Sequence, residues 1–298
     1  MFAANPVIIV IINTTSGIKR IEDLPAHLDS LFKAAGAPAQ IVPLVSPADA
    51  PAAARSAVDQ GADVVVAAGG DGTVNSVAAA LVGSNTPLGV IPLGTLNHFA
   101  RDAGIPLNLE RAVGAVADRH VTRVDVGEVN GRVFLNNSSI GIYPNIVVER
   151  EALRRQGYRK WTAFALATVK ILRHHRGVVV RITAEDSPHV ARTPFLFVGN
   201  NEYHVEGLRL GARDRVDGGR LFAYLAPRVH ARDLPKLLAR ALMGREHDTL
   251  ESFAAAALQV DTPGRRRLRV ATDGEVAVMS TPLHYRVRPG ELRVIVPV

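Results

Sequence analysis

The stretch from Val64 to Ala80, VVVAAGGDGTVNSVAAA, constrains the fold more than any other part of the chain. A β-branched run breaks at a glycine-rich turn and resumes at once as an alanine-rich segment, which reads as strand, tight loop, helix. Gly69, Gly70 and Gly72 let a ligand approach the backbone, and a new helix offers unpaired N–H groups with partial positive charge. Such a loop suits an anion, above all a phosphate. It is not a Walker A loop, because no Gly-Lys-Ser/Thr follows. Nor is it a dinucleotide fingerprint, because Asn75 stands at the third glycine position. As a plain turn it would need only Asp71 or Thr73 as a cap. The carboxylate of Asp71, suited to Mg²⁺, together with the hydroxyl of Thr73 and the amide of Asn75, favours phosphate or nucleotide.

The same geometry recurs on either side. Val7 to Ile12 is a continuous apolar run of the kind a buried parallel strand needs, and Asn13-Thr14-Thr15-Ser16-Gly17 follows as a polar loop. Leu24, Leu28, Leu31, Phe32 and Ala35 recur at helical spacing, Gln40 to Leu44 reads as a strand, and Ala48 to Gln60 as a helix. Leu88 to Ile91 leads through Pro92-Leu93-Gly94-Thr95-Leu96-Asn97 into a short helix. In an open parallel sheet ligands bind beyond the carboxyl ends of the strands, so the loops at Asn13, Gly69 and Gly94 are expected to converge on one ligand.

From Val124 the rhythm changes. Asp125 to Leu135 alternates around an Asn130-Gly131 turn, a hairpin signature. Short strand-like runs follow at Val178 to Thr183, Pro194 to Gly199, Leu221 to Leu225, Arg267 to Ala271 and Leu292 to Val296. Two helical segments interrupt them, Trp161 to His174 and Ala231 to Met243. The expected fold is an α/β nucleotide-binding domain over residues 1–123 and a β-rich, sandwich-like substrate domain over 124–298. The last strand is free to pack back toward the first domain.

Charge divides along the same line. The net charge is +7, yet residues 1–120 carry 7 Lys and Arg against 10 Asp and Glu, leaving 28 against 18 for the rest. A basic second half suits an anionic membrane surface or nucleic acid. No zinc-finger spacing or RNA-binding aromatic signature is present, so nucleic acid is not expected. The absence of cysteine rules out disulfides and thiolate metal sites and fits a reducing cytosol. The start MFAANPVIIVII lacks a basic n-region and reads as a core strand, and no apolar stretch is long enough to span a bilayer. Residues 154–175 join basic flanks to Trp161, Phe164, Leu166, Val169, Ile171 and Leu172. They read as a domain helix with its apolar stripe in the core and its flanks toward a membrane.

Three separated motifs now point one way. Gly69-Gly70-Asp71-Gly72-Thr73-Val74-Asn75, Pro92-Leu93-Gly94-Thr95-Leu96-Asn97, and Asp273-Gly274-Glu275 followed by Thr281-Pro282 resemble the diacylglycerol kinase catalytic family, in its bacterial soluble lipid kinase branch. Asn136 to Gly141 and Asp217-Gly218-Gly219 extend the resemblance over the chain. It implies a fold shared in its first domain with NAD kinases, an active site in the cleft between domains, and transfer of the γ-phosphoryl group of ATP to a lipid hydroxyl. Asn13, Thr14, Thr15, Ser16, Gly17, Gly69, Gly70, Asp71, Gly72, Thr73, Val74 and Thr95 would contact the nucleotide, with Asn75, Gly94 and Asn97 beside them. Glu275 would accept the proton of the lipid hydroxyl with Asp273 in support, and Asp71 would organise Mg²⁺ and phosphate. Asp214, Asp217 and Gly219 correspond to a structural Mg²⁺ site. The implied protein is cytoplasmic, acting peripherally at the inner face of an anionic membrane on diacylglycerol, a phosphatidylglycerol-like headgroup or a long-chain amino alcohol; a homo-oligomer is left open. His98 stands where many relatives are acidic. A soluble-metabolite kinase of the NAD-kinase type, or a non-catalytic nucleotide- or lipid-responsive protein, are the rival readings.

Overall fold

A computed structural model describes residues 7–14, 23–174, 177–184, 187–206, 209–225 and 250–298. The chain divides into two units. The first holds residues up to Val126 with Arg215–Gly218 and Arg288–Val298; the second holds Gly127–Asp214 and Gly219–Val287.

In the first unit strands β1 (Ile8–Ile12), β2 (Ala39–Pro43), β3 (Val64–Gly69) and β4 (Leu88–Pro92) alternate with helices α1 (Leu24–Ala34), α2 (Ala50–Asp59), α3 (Asp71–Leu81), α4 (His98–Asp102) and α5 (Leu109–Asp118). The strands are parallel in the order β2-β1-β3-β4, with β2 at the edge where Pro43 costs no ladder bond. All five residues of β1 are buried, as a strand covered by helices on both faces requires. Leu24, Leu28 and Phe32 of α1 and Val113 and Val116 of α5 pack with Ile8, Val10, Val66 and Ile91. Successive strand residues alternate faces, so Ile9, Ile11, Val65 and Ala67 are buried on the other side, where α2 and α3 lie. Helix α5 was not expected from the sequence. Its signal is Asn108, whose side chain caps the first turn by accepting the Arg111 N–H.

β5 (Val121–Val129) passes from the first unit into the second, where β6 (Arg132–Phe134), β7 (Asn137–Gly141), α6 (Ile142–Arg155), α7 (Lys160–His174), β8 (Val178–Ala184), β9 (Ser187–Thr193) and β10 (Phe195–Asn200) follow. Then come β11 (Val205–Glu206), β12 (Arg209–Leu210), β13 (Leu221–Leu225), β14 (Glu251–Ala255), β15 (Ala257–Asp261), β16 (Arg267–Thr272), β17 (Glu275–Ser280) and β18 (Leu283–Ile295). One antiparallel sheet runs β14-β13-β10-β7-β16-β17, and a second joins β15 to β8, β9 and the first half of β18. Val180, Val260 and Tyr285 from the second sheet meet Leu196, Ala223 and Val270 from the first in one core, which makes the unit a β-sandwich. The end of β18 belongs to the first unit, where Val294 pairs in parallel with Leu88.

Two points differ from expectation. Helix α6 was not foreseen, because Ile142, Ile146, Val147 and Val148 give it a β-branched start. Helix α7 forms, but its bulky apolar residues do not face the core. Ala163 and Ala167, one turn apart, point inward, while Trp161, Leu166 and Val169 are exposed. The helix expected over Ala231 to Met243 lies outside the described residues.

Candidate active site

In the order β2-β1-β3-β4 the chain winds away in both directions from β1 and β3, and the switch between these two strands is where an open α/β sheet opens a crevice. Asn13 follows β1, and Gly70 to Thr73 follow β3, so both flank that crevice. The Asn13 amide Nδ2 donates to Thr73 Oγ1 at 3.2 Å, and the Asn13 N–H donates to the Ala68 carbonyl at 2.9 Å. The third loop is tied to the second by main chain: the Leu93 N–H donates to the Gly69 carbonyl at 2.8 Å. Asn97 then locks it. Its backbone is left-handed (φ 51°), its side chain accepts from the Gly94 N–H at 3.0 Å and donates to the Gly94 carbonyl at 2.9 Å, and its own N–H donates to Asp71 Oδ2 at 3.0 Å.

Two of the glycines are explained by contact distance. A Cβ on Gly69 would sit 2.6 Å from the Thr73 side chain, and one on Gly94 would sit 2.7 Å from the Gly70 Cα. The loops therefore approach backbone to backbone. Gly72 is different, because a Cβ there meets nothing within 4 Å. Its surroundings are open at the first turn of α3, where the unpaired N–H groups point. Thr14 and Thr95 are exposed, Val74 is core, and His98 is exposed at the start of α4. The Asn75 side-chain nitrogen and oxygen are both buried without a hydrogen-bond partner, which leaves an amide able to receive one. The residues at the crevice thus fit a phosphate-bearing nucleotide. Thr15, Ser16 and Gly17 lie outside the described residues.

In the second unit Asp273 and Gly274 form the two-residue turn between β16 and β17, with φ 48° and 85°. Both angles are left-handed, as a type I′ turn demands. The Asp273 carboxylate reaches away from its own hairpin and accepts the N–H groups of Leu135 (2.7 Å), Asn136 (2.8 Å) and Asn137 (3.0 Å). Burial pushes its carboxyl up to about 6, against the opposing pull of these three donors and of Arg213. Glu275, the first residue of β17, is exposed, and its Oε2 accepts from Arg132 Nη2 at 2.6 Å.

Arg213 was not singled out in the sequence. It is buried, and its Nη1 donates to the carbonyls of Leu135 and Asn200, while Nη2 donates to Asn136 Oδ1, each at 2.8 Å. Its guanidinium also lies over the Tyr203 ring, 5.3 Å from the centroid. Arg213 and Asp273 thus grip the Leu135–Asn137 turn from its carbonyl and amide sides. Nothing in its neighbourhood marked it, because its partners lie at sequence separations of 78, 77 and 13.

The residues expected at the metal site have the following surroundings. Asp214, in the second unit, takes His204 Nε2 at 2.7 Å, and Asp217, in the first, takes Arg215 Nε at 3.0 Å. Gly219 is left-handed with open space around its Cα. Among the described residues no three His, Cys, Asp or Glu side chains gather into a metal site.

Comparison with known proteins agrees with this architecture. Residues 7–129 match the diacylglycerol kinase catalytic domain, and residues 140–296 match the YegS C-terminal NAD kinase β sandwich-like domain. A protein named "Diacylglycerol kinase" from Staphylococcus saprophyticus is 27% identical over 271 residues, covering 89% of this chain and 88% of that one. One named "Probable lipid kinase YegS-like" from Pseudomonas aeruginosa is 31% identical over 253 residues, covering 84% and 82%. A crystal structure of a diacylglycerol kinase from Bacillus anthracis superposes with a TM-score of 0.70 at 22% identity, over 98% of this chain and 97% of that chain, which is a likeness of fold. An α/β unit with a phosphate-ready crevice, followed by a β-sandwich, is the build of a lipid kinase, and the chain belongs to the diacylglycerol kinase catalytic family. As a member it is an enzyme that draws its phosphoryl group from ATP.

Proposed function

We propose that this kinase binds ATP at the β1–β3 crevice and phosphorylates the hydroxyl of a membrane lipid: diacylglycerol, a phosphatidylglycerol-like headgroup or a long-chain amino alcohol. The observation that carries the reading is the meeting of the loops at Asn13, Gly69 and Gly94 around the open first turn of α3. When bound, ATP supplies the γ-phosphoryl group. The chain's part is to hold the phosphates with backbone N–H groups, Thr73 and Asn75, and to position the acceptor. Glu275 takes the proton of the lipid hydroxyl as its oxygen bonds to phosphorus and the bond to ADP breaks. To do so it must let go of Arg132, which releases the carboxylate when the acceptor arrives. Asp273 and Arg213 act behind it as positioning residues, fixing the turn from which Glu275 projects. Mg²⁺ enters the proposal as the counter-ion that accompanies ATP. The enzyme works at the inner, cytoplasmic face of an anionic membrane, to which its basic second half is drawn.

Purified protein with labelled ATP and Mg²⁺ is offered NAD or vesicles carrying each of the three lipid classes. Label in lipid is the expected result. Label only in NADP would move the chain to the soluble-metabolite kinases that share this loop.

A further inference from the structure

Helix α7 carries apolar residues on its exposed side as well as on its buried one. Its inward positions are Ala163 and Ala167, with Ile171 partly covered one turn on. Trp161 is 76% exposed, Leu166 48% and Val169 49%. Leu166 and Val169 continue into a groove of about 450 Å³ against Leu153 of α6, with Lys170 and Arg173 at its edge. Large apolar side chains grouped on the outer side of a surface helix mark a face that meets another apolar phase. Its surroundings name the occupant. Residues 142–176 contain eight Lys and Arg against two Asp and Glu, an excess of six in a chain whose whole net charge is +7. Arg154, Arg155, Arg159 and Arg173 are exposed.

We infer that the α6–α7 hairpin is the element that seats this protein on an anionic bilayer, with Trp161, Leu166 and Val169 entering the headgroup–acyl boundary and the arginines on lipid phosphates. An exposed apolar face rimmed by cations is complementary to such a surface, where each basic residue adds attraction and each buried side chain adds transfer energy. A second copy of the chain offers no such match, because two faces of this charge repel. The inference rests on the proposed lipid acceptor only for its biological setting. It makes the hairpin a docking surface distinct from the β1–β3 crevice.

Trp161 is the sole tryptophan, so the intact protein reports on its own docking. Mixed phosphatidylglycerol–phosphatidylcholine vesicles are expected to shift its emission to the blue, and lipids brominated in the acyl chains to quench it. Pure phosphatidylcholine should do neither, and rising salt should reverse the effect. Leu166→Ser with Val169→Ser should weaken vesicle binding more than about tenfold. Arg154→Glu with Arg155→Glu should abolish the preference for anionic lipid. Neither pair should change phosphorylation of a short-chain, water-dispersed acceptor or the far-ultraviolet circular dichroism. Unchanged emission and sedimentation with anionic vesicles would overturn the inference. So would a dimer in sedimentation equilibrium that Leu166→Ser dissociates, since it would give the face to a second copy. Docking without phosphorylation of any lipid would leave the inference standing and defeat the proposed acceptor instead.

Discussion

The crevice of the first unit and the turn cluster of the second are held in place by opposite means. At the crevice, geometry does the work: glycine backbones in contact, Asn97 folded onto its own loop, and one carboxylate, Asp71, in the bracing. Around the 273–274 turn, charge does it, with Asp273 holding the N–H groups of Leu135, Asn136 and Asn137 while Arg213 holds the Leu135 carbonyl and the Asn136 side chain. A site built from backbone N–H groups needs close approach and tolerates no added atoms. A site built on a part-buried carboxylate is sensitive to proton concentration. The contrast suits the proposed division of roles, with phosphate held at the crevice and a base presented by the 273–275 segment.

The sharpest way to break this contrast is Glu275→Gln. Removing the proposed base should lower turnover by about 10²–10⁴-fold while a nucleotide titration shows ATP affinity unchanged. Comparable turnover in that variant would move the base elsewhere. Gly94→Ala comes next, because its Cβ would meet the Gly70 backbone, which has no flexible end to move. Unfolding should show a loss of about 1–3 kcal/mol, and turnover a fall on the order of 100-fold as the two loops part. For Asp273 the test is pH. Its folded value of about 6 lies above the ordinary 3.8, so the folded state binds the proton more tightly. The stabilising contribution is therefore complete below about pH 4 and is lost as pH rises through 6. Denaturant melts across that window should change by about 2 kcal/mol, and Asp273→Asn should flatten the slope.

Gly72→Ala sharpens the picture from the other side. With nothing within 4 Å, the new methyl should stabilise α3 by about 0.5–1 kcal/mol, yet it should weaken ATP binding by obstructing the open first turn. Stability and affinity rising together would show that the phosphate lies elsewhere. The smallest effect is expected for Arg132→Ala. Its ion pair with Glu275 is exposed at both ends, so chemical denaturation should register less than about 1 kcal/mol.

Features made by neighbours in the chain were legible in the residues alone. The passage from Val64 to Ala80 announced a strand, a loop and a helix. Asn130-Gly131 announced a two-residue turn, because left-handed backbone at successive positions selects such a pair. The partners of Asp214 and Asp217, His204 and Arg215, were not legible, since composition does not assign them.

The sequence by itself determined the alternation of buried strands with helices, the loops able to meet phosphate, and the turn that carries Glu275. All of these follow from backbone freedom and hydrophobic period over a few residues. Tertiary structure alone decided that Asn97 braces Asp71, that Arg213 and Asp273 share one turn, and that α7 turns its alanines inward and its tryptophan out. The reason is physical. Hydrogen bonds across separations of 26 to 138 residues, and the choice of which side of a helix with apolar residues on several faces to bury, depend on what the rest of the fold brings alongside. Local propensity sets which element forms, and packing sets which of its faces is left to act.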